Sequence, residues 1–509
     1  MKLLTFLKKH EDLYTFLFFL IVVLPPAIFR TAGNYDEIWN YGFALRMAVG
    51  DLPYRDFNLL QTPFAAFVNS ISLRLFGHAL SVIRVNGALL FAGIAFLITK
   101  IVRKLDLPRF LGVLLGLTVI FFFLYNLFFE YSDAIIFLQL LLIFIDLCLY
   151  QQKSVDPLLL FFSGILGGIA LLCKQTFGAF IALASCLSAV LLAIDKKQKK
   201  LTYFFLRALG AALPCILFLL YLLISGTFQD FLDMCFFGIS SFSARYSYTY
   251  FMNDNTGNFI FGILLPAVLV LSFVSSLFLY RKENYRQFAL IEGSFFLYGF
   301  FGFSNIIPMA NDFHMLTSAI GILTCLFPLA ALLKEKLGRF PLTGKVLKVL
   351  SLACLIGSLL AAGHILFVHT PNNLKDTVRS EYPHLGVIWL KEEDDAEMKE
   401  VTAYIAQAQS EGHDVYVLDN DAERFLIPSL TYHKYLDMFL YGNLGTKEPA
   451  ACLEESLAPD NIYLIPDADR KNTQFPRKEI NVFRTDHLVF LHRLGQFMIY
   501  EVNRVGGTK

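Results

Sequence analysis

Charge is what this sequence has least of: Asp, Glu, Lys and Arg make up 17% of its 509 residues, and the formal net charge is +1. That balance gives no sign of a nucleic-acid partner, and the basic residues inform by where they fall rather than by their sum. Tryptophan occurs only twice. Seven of the eight cysteines (Cys148, Cys173, Cys186, Cys215, Cys235, Cys325 and Cys354) lie in or beside apolar segments, where a thiol acts as a small hydrophobe. Only Cys452 stands in a polar region, so neither a disulfide framework nor a cysteine metal site is implied. Internal repeats of the paired kind found in transporters are missing as well. The basic, apolar start has no small-residue cleavage site, and Pro25, Pro26 and the spans that follow favour an uncleaved first helix.

Apolar side chains are abundant instead. Hydrophobic residues reach 56%, aromatics 15%, and Phe alone occurs 53 times; the mean hydropathy of +0.56 places the chain in the polytopic membrane class. A span needs roughly 20 residues of helix, and on that measure the chain holds about eleven. They fall near 13–29, 80–99, 110–127, 134–150, 157–173, 176–194, 203–224, 259–279, 288–308, 313–333 and 346–368, with 157–194 divided into two helices at Lys174 and Gln175. With the N-terminus inside, the Lys/Arg clusters at 100–109, 151–157, 195–200, 281–287 and 334–345 all collect on the cytoplasmic side. The alternation predicts an odd number of spans and an external C-terminus.

The expected fold class is therefore an α-helical polytopic membrane protein of about 11 transmembrane helices with a C-terminal extracytoplasmic α/β domain. Residues 1–369 form the membrane module and 370–509 the external domain. In that tail KEEDDAEMKEVTAYIAQAQSEG reads as a helix with acidic residues in its first turn and Gly412 beyond its end. HDVYVLD, NIYLIPD and the pair around EINVFR and GQFMIYEV read as strands. The tail carries no phosphate-binding glycine fingerprint, nucleophile elbow or metal motif. In the first external loop, 30–79, residues 37–49 and 62–76 show helical apolar spacing and read as helices lying in the membrane interface, punctuated by Gly50, Pro53 and the polar run at Asp56.

That loop contains the feature of greatest chemical interest, Asp36 and Glu37 side by side just past the first span. Carboxylates at the edge of hydrocarbon are costly and are enriched at functional sites. The competing reading is a pair that caps the helix beginning near Glu37. Because neighbours on a helix point in different directions, one acid acting as a base would leave the other to orient it, bind a metal or hold the acceptor.

The order of one span, then DE, a Gly-x-x-Pro-Tyr-Arg-Asp turn, TP at 62–63, an amphipathic helix ending LFG at 75–77 and Arg84 opening the next span resembles the GT-C superfamily of membrane glycosyltransferases. It looks closest to the branch of protein O-mannosyltransferases and lipid A aminoarabinose transferases. The motifs cover roughly residues 13–100, and the span count and external domain extend the likeness along the chain. Such enzymes move a sugar from a polyprenyl-phosphate carrier to an acceptor hydroxyl or amide on the outer face. The likeness assigns the catalytic carboxylate to Asp36, with Glu37 completing the acidic pair. Many relatives have Lys-Pro-Pro where this chain has Gln61-Thr62-Pro63, so a lysine that could have met the carrier phosphate is missing here.

The chemistry suits these residue types. A sugar on a lipid phosphate already has a good leaving group, so inverting displacement needs one carboxylate for the acceptor proton and cations to steady the departing phosphate. External cations able to do this are Arg55, with Asp56 in the same turn, Lys174 and Arg245 in the tyrosine-rich FSARYSYTY. Arg55 reads equally as a turn residue, Lys174 as a cation snorkelling from a short span and Arg245 as a solvated loop charge. The likeness adds Glu130 or Asp133 as a second acid, against a helix N-cap for Asp133. It adds His314, at the start of the tenth span, as a phosphate or acceptor contact, against a structural histidine. Glu292 and Asp146, inside spans, pair across helices or reach the interface and fall outside the site. Asp36 and Glu37 could take Mg²⁺ or Mn²⁺, but two carboxylates fall short of the octahedral oxygen shell such ions want.

The expected function is an inverting, polyprenyl-phosphate-dependent glycosyltransferase of a bacterial plasma membrane, with a glycan, lipid or protein acceptor. A transporter or lipid-linked glycan flippase, and a non-enzymatic assembly protein docking through the acidic loop, are the alternatives.

Overall fold

The structure, a computed structural model, describes residues 10–32, 34–238, 247–307, 309–338, 341–419, 422–426, 432–467 and 475–503. Helices occupy all eleven segments expected to span. Among the described residues eight of them are long and apolar enough to cross a membrane by length and composition: Glu11–Ile28, Leu80–Lys104, Tyr131–Gln151, Gln175–Asp195, Lys200–Ile224, Thr256–Tyr280, Asp312–Leu337 and Gly344–Asn373. The remaining three fall short of the expected count of spans. Arg109–Phe122 has 14 residues, and Pro157–Cys173 and Arg286–Gly302 have 17 each; at 1.5 Å per residue they rise about 21 and 25 Å, less than a bilayer core of about 30 Å. The chain is a multi-pass membrane protein, and its described residues divide into two compact units.

The first unit comprises 1–28, 84–220 and 245–372. Glycine lets two of its helices approach closely. A Cβ on Gly164 of Pro157–Cys173 would stand 2.2 Å from Arg207 O of Lys200–Ile224, so only hydrogen fits between these backbones. Arg207 is thereby held in the interior, where it ion-pairs with Asp146, donates to Ser163 Oγ at 3.0 Å and to Ser185 O at 2.8 Å, while Ser188 and Tyr298 hydroxyls donate to Asp146 at 2.6 and 3.0 Å. Asp146 thus pairs across helices, as expected of an intramembrane acid. Glu292 likewise accepts from Ser272 Oγ. At one end of the unit Glu11 and Asp12 meet the basic residues that close and open the neighbouring helices, with Lys100–Asp12 at 2.5 Å and Arg109–Glu11 at 2.9 Å.

The second unit is assembled from three separated stretches, 29–83, 221–244 and 373–509. Its sheets are a hairpin, β1 (Thr377–Tyr382) against β2 (Gly386–Lys391), and a four-stranded sheet of order β3-β4-β6-β5. In the latter β3 (Asp414–Val417) runs parallel to β4 (Asn461–Pro466), while β6 (Phe497–Val502) is antiparallel to both β4 and β5 (Leu488–Leu494). The acidic helix is Glu392–Ser410, and its chain leaves through Gly412 at φ +91°, as the sequence predicts. EINVFR is a correction: it lies in the helix Arg477–His487, not in a strand. Its apolar Ile480 and Phe483 are three residues apart and both buried, the spacing of one helical face rather than of a strand. The strand that does pair with GQFMIYEV follows it, as β5.

Residues 30–79 are built into this unit. Ala32 N donates to Trp389 O at 3.0 Å, Leu80 N to Leu385 O at 2.9 Å, and Asn58 Nδ2 to Asn443 O at 2.9 Å. The Tyr41 hydroxyl lies against the carbonyl oxygens of both His78 and His384, and burial pushes its ionisation up from the ordinary tyrosine range. Both amphipathic segments of the loop are helices, Tyr35–Val49 and Phe64–Phe76.

Candidate active site

Helix Tyr35–Val49 starts where Asn34 accepts a hydrogen bond from Asp36 N at 3.0 Å, and it stops at Gly50, whose φ of +114° suits glycine. The N-cap is therefore Asn34, and the acidic pair lies in the first turn, where carboxylates favour the helix N-terminus. One step apart on the first turn, the two acids differ sharply. Glu37 is fully buried and ion-pairs with buried Arg30, whereas Asp36 is half-buried. Arg30 went unnoticed in the sequence; its signal is a cation closing the first apolar run seven residues ahead of a carboxylate. With Glu37 already paired to a guanidinium, and no group of three or more His, Cys, Asp or Glu able to hold a metal among the described residues, the acidic pair does not fit a divalent ion. No step below passes through one.

Beyond the helix the chain makes a strained turn. Tyr54 sits at φ +69°, a region costing a non-glycine residue roughly 1–2 kcal/mol, and is buried with its hydroxyl donating to Gln61 O at 2.6 Å. Arg55 and Asp56 meet each other: Arg55 donates through Nε at 2.9 Å and Nη2 at 2.8 Å. This fork, helped by Leu52 N at 2.8 Å, holds the Asp56 carboxyl below its usual range. Arg46 reaches across the same turn, donating to Asp56 O at 2.6 Å and to Asp51 at 3.2 Å. Its guanidinium carbon lies 4.7 Å from the Phe57 ring centre and 3.8 Å from that of Tyr432. Asp437, buried nearby and accepting from His433 N at 2.6 Å, has its carboxyl pushed up to about 6 by desolvation, against the lowering effect of His433 and Arg46.

In the first unit, Lys174 is the extended residue, φ −154° and ψ 119°, between Pro157–Cys173 and Gln175–Asp195. Gly178 lets the second helix leave so tightly, since a Cβ there would stand 1.9 Å from Ala170 O. The Lys174 ammonium is held 3.0 Å from Asn305 Oδ1 and 3.3 Å from His314 Nε2, with the Tyr131 ring centre at 5.4 Å. The structure thus brings two candidates, Lys174 and His314, together and adds Asn305, which also donates to Thr317 Oγ1 at 2.5 Å. Its sequence signal is a lone amide at the end of an apolar run, GFSN.

Glu130 and Asp133 flank Tyr131 at the start of Tyr131–Gln151 and are both buried. Glu130 occupies the cap position without a capping hydrogen bond from its side chain. Asp133 is in the first turn rather than at the cap, and neither of its carboxylate oxygens has a hydrogen-bond partner among the described residues. The N-cap account of Asp133 is therefore a second correction. Arg245 lies outside the described residues.

No protein-family model matches this sequence, and no curated protein matches it. Solved structures do. ArnT from Cupriavidus metallidurans bound to undecaprenyl phosphate superposes with a TM-score of 0.55 at 14% identity, over 98% of this chain and 100% of that one. The same protein in its apo state gives 0.53 at 12% identity, over 94% and 96%. AglB from Archaeoglobus fulgidus, an archaeal oligosaccharyltransferase in complex with an inhibitory peptide and a dolichol-phosphate, gives 0.53 at 11% identity, over 98% of this chain and 75% of that one. At such identities the likeness speaks to architecture, and it extends along nearly the whole chain: the fold is that of ArnT and AglB.

Proposed function

We propose that the chain is an inverting glycosyltransferase that moves a sugar from a polyprenyl-phosphate carrier to an acceptor on the outer face of a plasma membrane, with the N-terminus cytoplasmic and residues 370–509 external. The carrying observation is the division of labour on the first turn of Tyr35–Val49: Glu37 is committed to Arg30, and Asp36 beside it is half-buried. Asp36 accepts the proton of the acceptor hydroxyl or amide as that atom bonds to the anomeric carbon. The bond from that carbon to the phosphate oxygen breaks, and the polyprenyl phosphate leaves with the electron pair. Undecaprenyl phosphate in ArnT and dolichol-phosphate in AglB support a carrier of this class. Lys174, backed by Asn305 and His314, is the proposed phosphate ligand, since a buried ammonium steadies a developing dianion. Arg55, Asp56 and Arg245 are proposed to contact the donor, and Glu130 or Asp133 the acceptor.

The test is transfer by the purified full-length protein from a panel of undecaprenyl-phosphoryl sugars to an envelope fraction, followed as release of undecaprenyl phosphate. Loss of release in Asp36→Asn with donor binding retained supports the reading. Wild-type release by Asp36→Asn refutes the base assignment, and binding of undecaprenyl phosphate without turnover in the wild type turns the reading toward a flippase or an assembly protein.

A further inference from the structure

Arg46 stands three turns along the helix that begins with Asp36, and it holds together three stretches of chain within the second unit. It donates to Asp51 and to the Asp56 carbonyl of the strained turn, and its guanidinium lies over the Phe57 ring at 4.7 Å and the Tyr432 ring at 3.8 Å. Only 4% of Arg46 is exposed. An ammonium could not replace it, because a planar guanidinium packs against aromatic rings while its edge donates in two directions. The stretch beyond Tyr432 is itself fixed: Asp437 accepts from His433 N, His433 stacks on Tyr416 at 3.8 Å, and Asn443 O receives Asn58 Nδ2 at 2.9 Å.

We infer that Arg46 is a positioning residue through which the segment Tyr432–Asn443 sets the pose of the Asp36 helix. This rests on the proposed role of Asp36 and goes beyond it, giving the C-terminal domain a part in aligning the base in addition to any part in acceptor access. A shift of about 1 Å in a reacting group is enough to cost roughly a hundredfold in rate. The pose of the helix therefore shows in kcat before it shows in binding.

The chain contains two tryptophans, and both report on this unit: Trp39 lies one turn beyond Asp36, and Trp389 accepts from Ala32 N. In a Trp389→Phe background Trp39 is the sole emitter. The experiment compares Arg46→Lys, Tyr432→Leu and Tyr432→Phe in the full-length protein, by the release assay and by Trp39 lifetime and acrylamide quenching. The expected result for Arg46→Lys and Tyr432→Leu is a fall in kcat of roughly ten- to a hundredfold with donor KM within about twofold. A changed Trp39 lifetime should accompany it, with recovery of both signals in Tyr432→Phe, which keeps the ring. Unchanged kcat with a lowered melting temperature would make the contact merely structural and overturn the inference. So would a raised donor KM at constant kcat, which would make Arg46 a donor ligand. Should the wild type release no undecaprenyl phosphate from any donor, the enzymatic reading fails by itself, and an unaltered Trp39 signal in both variants then overturns the positioning role separately.

Discussion

Arg30 and Glu37 form a buried ion pair that ties the stretch ahead of the helix bearing Asp36 to that helix's first turn. Removing one partner of such a pair leaves an uncompensated buried charge and costs about 3–5 kcal/mol. Arg30→Met is therefore expected to lower the melting temperature of the purified protein by several degrees, with Glu37→Gln doing less because it retains a hydrogen-bond acceptor for Arg30. Asp36→Asn is expected to leave the melting temperature nearly unchanged while release falls by about 10²–10⁴-fold, the usual reach of a general base. The two neighbours should separate cleanly, one in stability and the other in rate.

Two buried groups of the second unit should make opposite contributions to the pH dependence of stability. Asp437 is raised from 3.8 to about 6 by burial, so the folded state holds a proton the unfolded chain has released; its contribution is full below pH 3.8 and lost as pH rises through about 6. His384 is lowered from 6.5 to about 4, again by burial, so its contribution is present above pH 6.5 and lost as pH falls through about 4. Each shift is worth up to about 3 kcal/mol. The wild-type melting temperature is expected to stay nearly flat from pH 4 to 6.5. Asp437→Asn should expose a rise with pH across that window, and His384→Gln a fall. Parallel profiles for all three proteins would contradict this account.

The Arg207–Asp146 pair lies inside the first unit and has no place in the proposed chemistry. Arg207→Met alone is expected to destabilise by about 3–5 kcal/mol, and Asp146→Leu alone comparably. The double replacement should recover much of the loss. A thermal-shift double-mutant cycle measures the coupling, and additive effects would show that the pair is not coupled.

Gly164→Val places methyl groups where Arg207 O already lies 2.2 Å from a bare Cβ. The helices must part, and overpacking of this kind costs about 1–3 kcal/mol or more. Expression and melting temperature should fall together. Gly226→Ala serves as a contrast, since its Cβ meets nothing within 4 Å and only its φ of +70° opposes it.

Legibility followed the range of the forces involved. Helices of the membrane module can be read because each segment must satisfy its own backbone in lipid, which writes a long apolar run into the sequence. The break at Lys174 and the helix ending before Gly412 were visible for equally local reasons, a polar interruption and a terminating glycine. EINVFR misled because six residues with two apolar positions fit either period, and its burial against the sheet decides which one holds. Among the candidate residues, Asp36, Lys174 and His314 stand out as ionisable groups in apolar surroundings. Arg30, Asn305 and Arg46 do not, because their significance lies in partners distant in sequence: Lys174 and Asn305 are 131 positions apart. No single-sequence periodicity records a pairing of that length.

The second unit closes on itself late in synthesis. Tyr41 and His384, whose contact joins the acidic loop to the tail, are separated by 343 positions, about 20–70 s of translation at 5–20 residues per second. Until then the stretch bearing Asp36 exists without the partners in the tail that hold it. Truncation within the last 130 or so residues, roughly one domain's length, would therefore take away the support of the N-terminal loop along with the tail. Quality control acting on the unsupported loop during that interval would couple survival of the acidic helix to completion of the chain.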